Sequence, residues 1–211
     1  MSCEEDSGSG GVNRALLDPT SAAMNQQAPD EFKAEFVTTK GNFVVQVYRE
    51  WAPIGADRFY SLVKNGFYDG QLFFRVNPGF VVQFGIPGDP EIAKVWSSRP
   101  QLNPQYHNAI SLQDDPVTQK NKSGTFTYAQ TNEPNSRSTQ LFINLRDSPH
   151  LDKDFAPFGE VVEGFENVQS LTSKYGDQPM YKSGELTEKG NAYLLEKFPE
   201  LDSIKSARII D

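Results

Sequence analysis

The chain has 211 residues, with 20 Lys and Arg against 28 Asp and Glu and a formal net charge of -8. This length fits one domain with appendages, and the single cysteine, Cys3, excludes an internal disulfide framework. The acidic balance and scattered basic residues argue against nucleic acid as a partner, and no apolar run approaches the ~18 to 20 residues of a membrane-crossing helix.

Residues 1–30 are rich in Ser, Gly, Asp, Glu, Asn and Gln without periodicity, which predicts a flexible polar tail ahead of a domain over residues 31–211. Ser2-Cys3 before an acidic, Gly/Ser-rich spacer looks like the mature start of a bacterial lipoprotein, which would place a lipid on Cys3 and the protein outside the cytoplasm. The other reading is an ordinary cytoplasmic N-terminus, and composition does not separate the two.

Phe32 to Thr38 and Phe43 to Tyr48 are β-rich runs around a Gly-containing turn, a predicted hairpin. Pro53 opens a segment with Phe59, Leu62 and Val63 at helical spacing, and Asn65-Gly66 closes it. A second hairpin is predicted over Phe73 to Phe84, turning at Asn77-Pro78-Gly79. Its two polar strand residues, Arg75 and Gln83, stand out, because a charge on an apolar surface is costly unless paired. Arg75 is therefore either functional or paired with an acid at a barrel rim.

Gly85 to Lys122 carries five prolines and reads mostly as loop, in which Asp114-Asp115-Pro116-Val117 could brace the site or shape its edge. Strands are predicted at Thr125 to Ala129, Leu141 to Leu145 and Glu160 to Val162. A second helix is marked by Phe165, Val168 and Leu171, an extra helix by Leu186, Tyr193, Leu194 and Phe198, and a closing strand by Ile204 to Ile210. Many short, turn-separated strands favour an antiparallel barrel over an α/β alternation.

Two histidines, His107 and His150, and one tail cysteine form no metal-ligand spacing. Patterns for a serine-hydrolase elbow, a dinucleotide fold or a P-loop are absent, so neither metal nor cofactor is expected. Asn121-Lys122-Ser123 matches the N-glycosylation pattern, which occurs often by chance.

Phe74-Arg75-Val76-Asn77-Pro78-Gly79-Phe80-Val81-Val82-Gln83 resembles the F-H-R-V-x-P-G-F-x-x-Q signature of cyclophilins, the cyclosporin-binding peptidyl-prolyl isomerases. Gly124 to Gln130, Ser138 to Ile143, Leu151-Asp152 and Phe158 to Val161 continue the resemblance in order and spacing. It implies a mainly β fold, a closed eight-stranded antiparallel barrel capped by two helices, with residues 175–201 as an insertion before the closing strand. It also implies a catalytic set of Arg75, Gln83, Phe80 and Phe142, with Arg75 as donor to the prolyl nitrogen. Phe74, Val81, Ala129, Gln130, Gln140, His150, Leu151 and Phe155 fall at the family's substrate-contact positions.

The implied partners are proline-containing peptides and folding proteins, met by a monomer. Phe74, Gln130 and Phe155 depart from the family's histidine, asparagine and histidine. His150 replaces a tryptophan that contacts cyclosporin, so weak binding of that drug is expected. A catalytically weak proline-peptide module or chaperone, and a scaffold whose insertion binds a partner, are the alternatives to a working isomerase.

Overall fold

A computed structural model describes residues 13–97 and 101–210. Strands β1 (Glu31–Thr38) and β2 (Gly41–Tyr48) form the first hairpin. In β1 the inward residues Phe32, Ala34 and Phe36 are buried, and the intervening Lys33 and Glu35 are more exposed, as a period of two requires. Phe36 faces Phe43 in register, with ring centroids 4.8 Å apart. From this pair an aromatic core spreads through Phe59, Tyr68, Phe84, Phe126 and Phe158.

Helix α1 (Pro53–Lys64) begins with proline and lacks a local side-chain cap. Its cap comes from a distant loop, where the Asp115 carboxylate accepts hydrogen bonds from Ile54 N at 3.0 Å and Gly55 N at 2.9 Å. The same carboxylate meets Arg137 Nη1 at 3.0 Å, in a pair whose side chains are 3% and 1% exposed. Asp115 thus fixes the long loop to the helix and to the strand region beyond it.

Next come β3 (Arg75–Asn77) and β4 (Val81–Phe84), short helices α2 (Pro90–Val95) and α3 (His107–Ile110), then β5 (Thr125–Tyr128) and β6 (Leu141–Asn144). The chain continues through β7 (Pro157–Glu163), α4 (Phe165–Gln169), α5 (Ser183–Lys189), α6 (Asn191–Lys197) and β8 (Ile204–Ile210). All eight strands join one antiparallel sheet in the order β3-β4-β6-β5-β7-β2-β1-β8.

The sheet is curled but not closed, which corrects the expected closed barrel. Between β3 and β8 there is no ladder, only the bridge Leu72 to Ser203 and flanking bonds such as Phe73 N to Asp202 O at 3.0 Å. The physical cause is the length of β3. Its three residues follow a turn around Gly70, at φ +72°, so too little extended chain faces β8 to form a seam. The expected second capping helix, α4, is only five residues long, and the expected extra helix is two helices, α5 and α6, broken at Gly190. A Cβ at Gly190 would lie 2.1 Å from Gly88 O, so only glycine fits the break.

The segment read as loop over residues 85–122 contains α2 and α3. Arg58, buried beneath it, donates from Nη2 to Ala109 O at 3.0 Å and lies 5.1 Å from the Trp96 ring centroid. Burial lowers the pKa of this guanidinium.

Of the tail expected over residues 1–30, residues 13–30 are described and Cys3 lies outside the described residues. Two 3-10 turns, Arg14–Leu17 and Ala22–Met24, lie against the domain, with Leu16 and Met24 in the main core. Trp96 Nε1 donates to Leu16 O at 2.7 Å, and Gln26 N to Ser61 Oγ at 3.0 Å. Polar composition hid two apolar anchors, and anchors of that kind are enough to tie down a short segment.

Met24→Ala should lower unfolding free energy by about 2–5 kcal/mol, as for other buried methionines, measured by urea titration. A change below measurement error would mean that the 13–30 segment is not part of the cooperative unit. Asp115→Ala should cost about 3–5 kcal/mol in the same measurement, because it strands the buried Arg137 and uncaps α1.

Candidate active site

Register and pleat together place the site. Arg75 on β3 stands opposite Gln83 on β4, Gln83 opposite Phe142 on β6, and Phe142 opposite Thr127 on β5. Directly paired residues share a sheet face, so these four form one cross-strand row. The next row, Val76, Val82, Ile143 and Phe126, points the other way into the main core. One face of the same four strands thus holds the fold together while the other carries polar groups to a cleft.

The cleft, of about 190 Å³, is lined by Arg75, Phe80, Val81, Gln83, Ala129, Gln130, Phe142, Leu151, Phe155 and Met180. That is smaller than the ~300 Å³ at which drug-sized sites begin, and suits one small ring. Phe142 and Phe155 meet edge to face at 5.6 Å to form its aromatic side. Arg75 Nη1 donates to Gln83 Oε1 at 3.3 Å, and Gln83 Nε2 donates to Gln140 Oε1 at 3.0 Å. Arg75 Cζ lies 5.5 Å from the Phe80 ring centroid. Leu151 is held by a 3-10 turn whose next residue, Asp152, accepts from Asn121 N at 2.7 Å. That backbone bond holds the Asp152 carboxyl below its ordinary pKa.

Of the residues singled out in the sequence, the structure gathers Arg75, Phe80, Val81, Gln83, Ala129, Gln130, Phe142, Leu151 and Phe155 around the cleft. Gln140 stands one step back, bonded to Gln83 and lining a smaller adjoining depression. His150 stacks on the outer side of Phe80, with centroids 5.6 Å apart, and does not line the cleft.

Phe74 is not at the cleft. It is 1% exposed and belongs to a second core with Leu72, Ile86, Leu186, Tyr193, Leu194 and Leu201. Phe74 precedes β3 and packs with residues 186–201, whereas Arg75, the first residue of β3, lines the cleft.

Two residues escaped the sequence reading. Asp177 Oδ1 accepts from Arg75 Nε at 2.6 Å, and Met180 lines the cleft. Both lie about a hundred positions along the chain from the hairpin, and no local pattern announces either. Arg75 thus has an acid partner and also lines the cleft.

The structure is a half-barrel that carries a small aromatic cleft edged by an arginine and a glutamine. Residues 33–189 match the family model described as cyclophilin type peptidyl-prolyl cis-trans isomerase/CLD. The chain is 34% identical over 151 residues to a peptidyl-prolyl cis-trans isomerase of Acinetobacter baylyi, covering 67% of this chain and 74% of that one. It is 35% identical over 140 residues to peptidyl-prolyl cis-trans isomerase A of Dickeya dadantii, covering 64% and 68%. A crystal structure of a Cryptosporidium parvum cyclophilin type isomerase superposes with a TM-score of 0.60 at 18% identity, over 86% of this chain and 98% of that one. The same Cryptosporidium protein has been solved in the presence of the dipeptide Ala-Pro. This chain belongs to the cyclophilin-type peptidyl-prolyl cis-trans isomerase family.

Among the described residues, no group of histidine, cysteine and carboxylate side chains could hold a metal ion, and no helix is long and apolar enough to cross a membrane.

Phe74→His, which restores the family's signature letter, should cost about 1–3 kcal/mol of stability, because an imidazole in that apolar core lacks a partner. If Phe74 instead contacted substrate, thermal unfolding would be unchanged while peptide affinity moved.

Proposed function

We propose that the cleft receives the ring of an X-Pro unit in a peptide or folding protein, and that Arg75 accelerates rotation about the prolyl bond. Rotation must break amide resonance, a barrier of ~18–20 kcal/mol, but needs no bond cleavage and no proton transfer. Two physical aids suffice. An apolar pocket disfavours the charge-separated planar amide, and a fixed donor stabilises the nitrogen lone pair that appears on twisting.

The observation that carries this reading is a guanidinium at the wall of a ring-sized aromatic cleft, bonded to the opposing glutamine of its own hairpin. Phe80, Phe142, Leu151 and Phe155 supply the apolar contact, and the small Ala129 leaves room for the peptide backbone beside it. Gln130, in place of the family's asparagine, donates from Nε2 to Asp154 O at 3.0 Å, which turns part of its hydrogen-bonding capacity away from substrate. With Phe155 in place of histidine the cleft is more apolar, and sequence preference should shift accordingly.

Arg75→Ala should lower the isomerisation rate of an X-Pro peptide by about a hundredfold or more, the usual loss on removing a preorganised donor, with stability retained. NMR exchange or a protease-coupled assay reads this, and equal rates would defeat the mechanism. Peptide binding without acceleration by the wild type would make the protein a binding module instead.

Cyclosporin should bind weakly, because His150 stands where an indole N–H would contact it. His150→Trp should tighten that binding by about five- to tenfold, the worth of one added hydrogen bond. Calorimetry that finds tight binding to the wild type would sink this expectation.

A further inference from the structure

We propose that Asp177 is a positioning residue for Arg75, so that the insertion is a working wall of the active site; this rests on the reading of Arg75 as the donor. The carboxylate accepts from Arg75 Nε at 2.6 Å, in a pair whose side chains are 20% and 29% exposed. A short, charge-assisted, largely covered contact of this kind holds geometry better than a solvated surface pair.

The geometry divides the guanidinium's work. Nε is engaged by Asp177 and Nη1 by Gln83, one acceptor far away in sequence and the other in the same hairpin. Two bonds to different nitrogens fix the plane of the group, whereas Gln83 alone leaves it free to swing about that single contact. Among the described residues no protein acceptor is recorded for Nη2, which remains for the substrate.

Asp177 is itself held. Its carbonyl accepts from Met180 N at 3.1 Å, which starts the 3-10 turn Gln178–Lys182 and carries the Met180 side chain to the cleft. Gln178 N donates to Tyr175 O at 3.0 Å, and the Tyr175 ring meets Phe198 edge-on at 5.2 Å. Tyr175, Met180 and Phe198 all pack on the second core, of which Phe74 is a member. The neighbouring residues Phe74 and Arg75 are thus bound to one insertion, the first by packing and the second by charge. Met180 adds a pliable apolar surface opposite the aromatic rings, fitted to a puckering ring.

The test is a set of kcat and KM values for one X-Pro peptide, by NMR exchange, for wild type, Arg75→Ala, Asp177→Ala, Asp177→Asn and the double alanine variant. Asp177→Ala should lower kcat about tenfold with KM within about twofold, since misorientation harms the twisted state and not ground-state binding. Asp177→Asn, whose amide oxygen still accepts from Nε, should recover most of that loss. In the Arg75→Ala background, Asp177→Ala should cost nothing further, because the residue it positions is gone. With Arg75→Ala slow, an Asp177→Ala enzyme at or above the wild-type kcat would overturn the inference alone, as would an equal fractional loss in the double variant. Arg75→Ala at the wild-type rate would overturn the underlying reading and the inference with it.

Discussion

A guanidinium on an apolar strand surface must be held by acceptors, and that requirement organises the rest of this molecule. The register of the second hairpin sets Gln83 opposite Arg75, and Gln140 in turn supports Gln83. Asp177 then closes the arrangement from a part of the chain far away in sequence. A polar group left unmet here would cost stability, and a group met by too many partners could not reach a substrate. The observed network lies between these limits, with Nε and Nη1 engaged and Arg75 still lining the cleft.

The cost of this arrangement falls on the neighbouring structure. The short β3 that presents Arg75 cannot also form a long seam with β8, so the half-barrel stays open along that edge. Residues 175–201 pack in a satellite core around Phe74 and bring an acid to Arg75 and a methionine to the cleft. Phe74, at the position where the resembled signature carries histidine, packs in this satellite core.

Much of the fold could be read from local patterning, and the failures have definite physical causes. The Phe32–Tyr48 hairpin, the helix from Pro53 and the closing strand Ile204–Ile210 were legible because alternation, a first-turn proline and terminal glycines are local signals. The nine cleft residues other than Met180 were legible through motif resemblance, since strand register converts spacing into position. Residues 13–30 read as tail because their buried apolar residues, Leu16, Met24 and Ala28, are few and stand in otherwise polar surroundings. Asp177 was invisible for a different reason: its meaning is a contact across the fold, and an aspartate after Tyr-Gly carries no trace of the arginine that it meets.

The most direct measurement is the isomerisation rate of an Arg75→Lys variant under conditions where the wild type accelerates exchange. Lysine keeps the charge but loses the planar fork that engages Gln83 and Asp177 on separate nitrogens. If orientation of the fork is what the fold provides, the lysine variant should fall to nearly the level of the alanine variant, about a hundredfold below wild type. A lysine variant that retained wild-type activity would show that charge alone suffices, and would contradict the account.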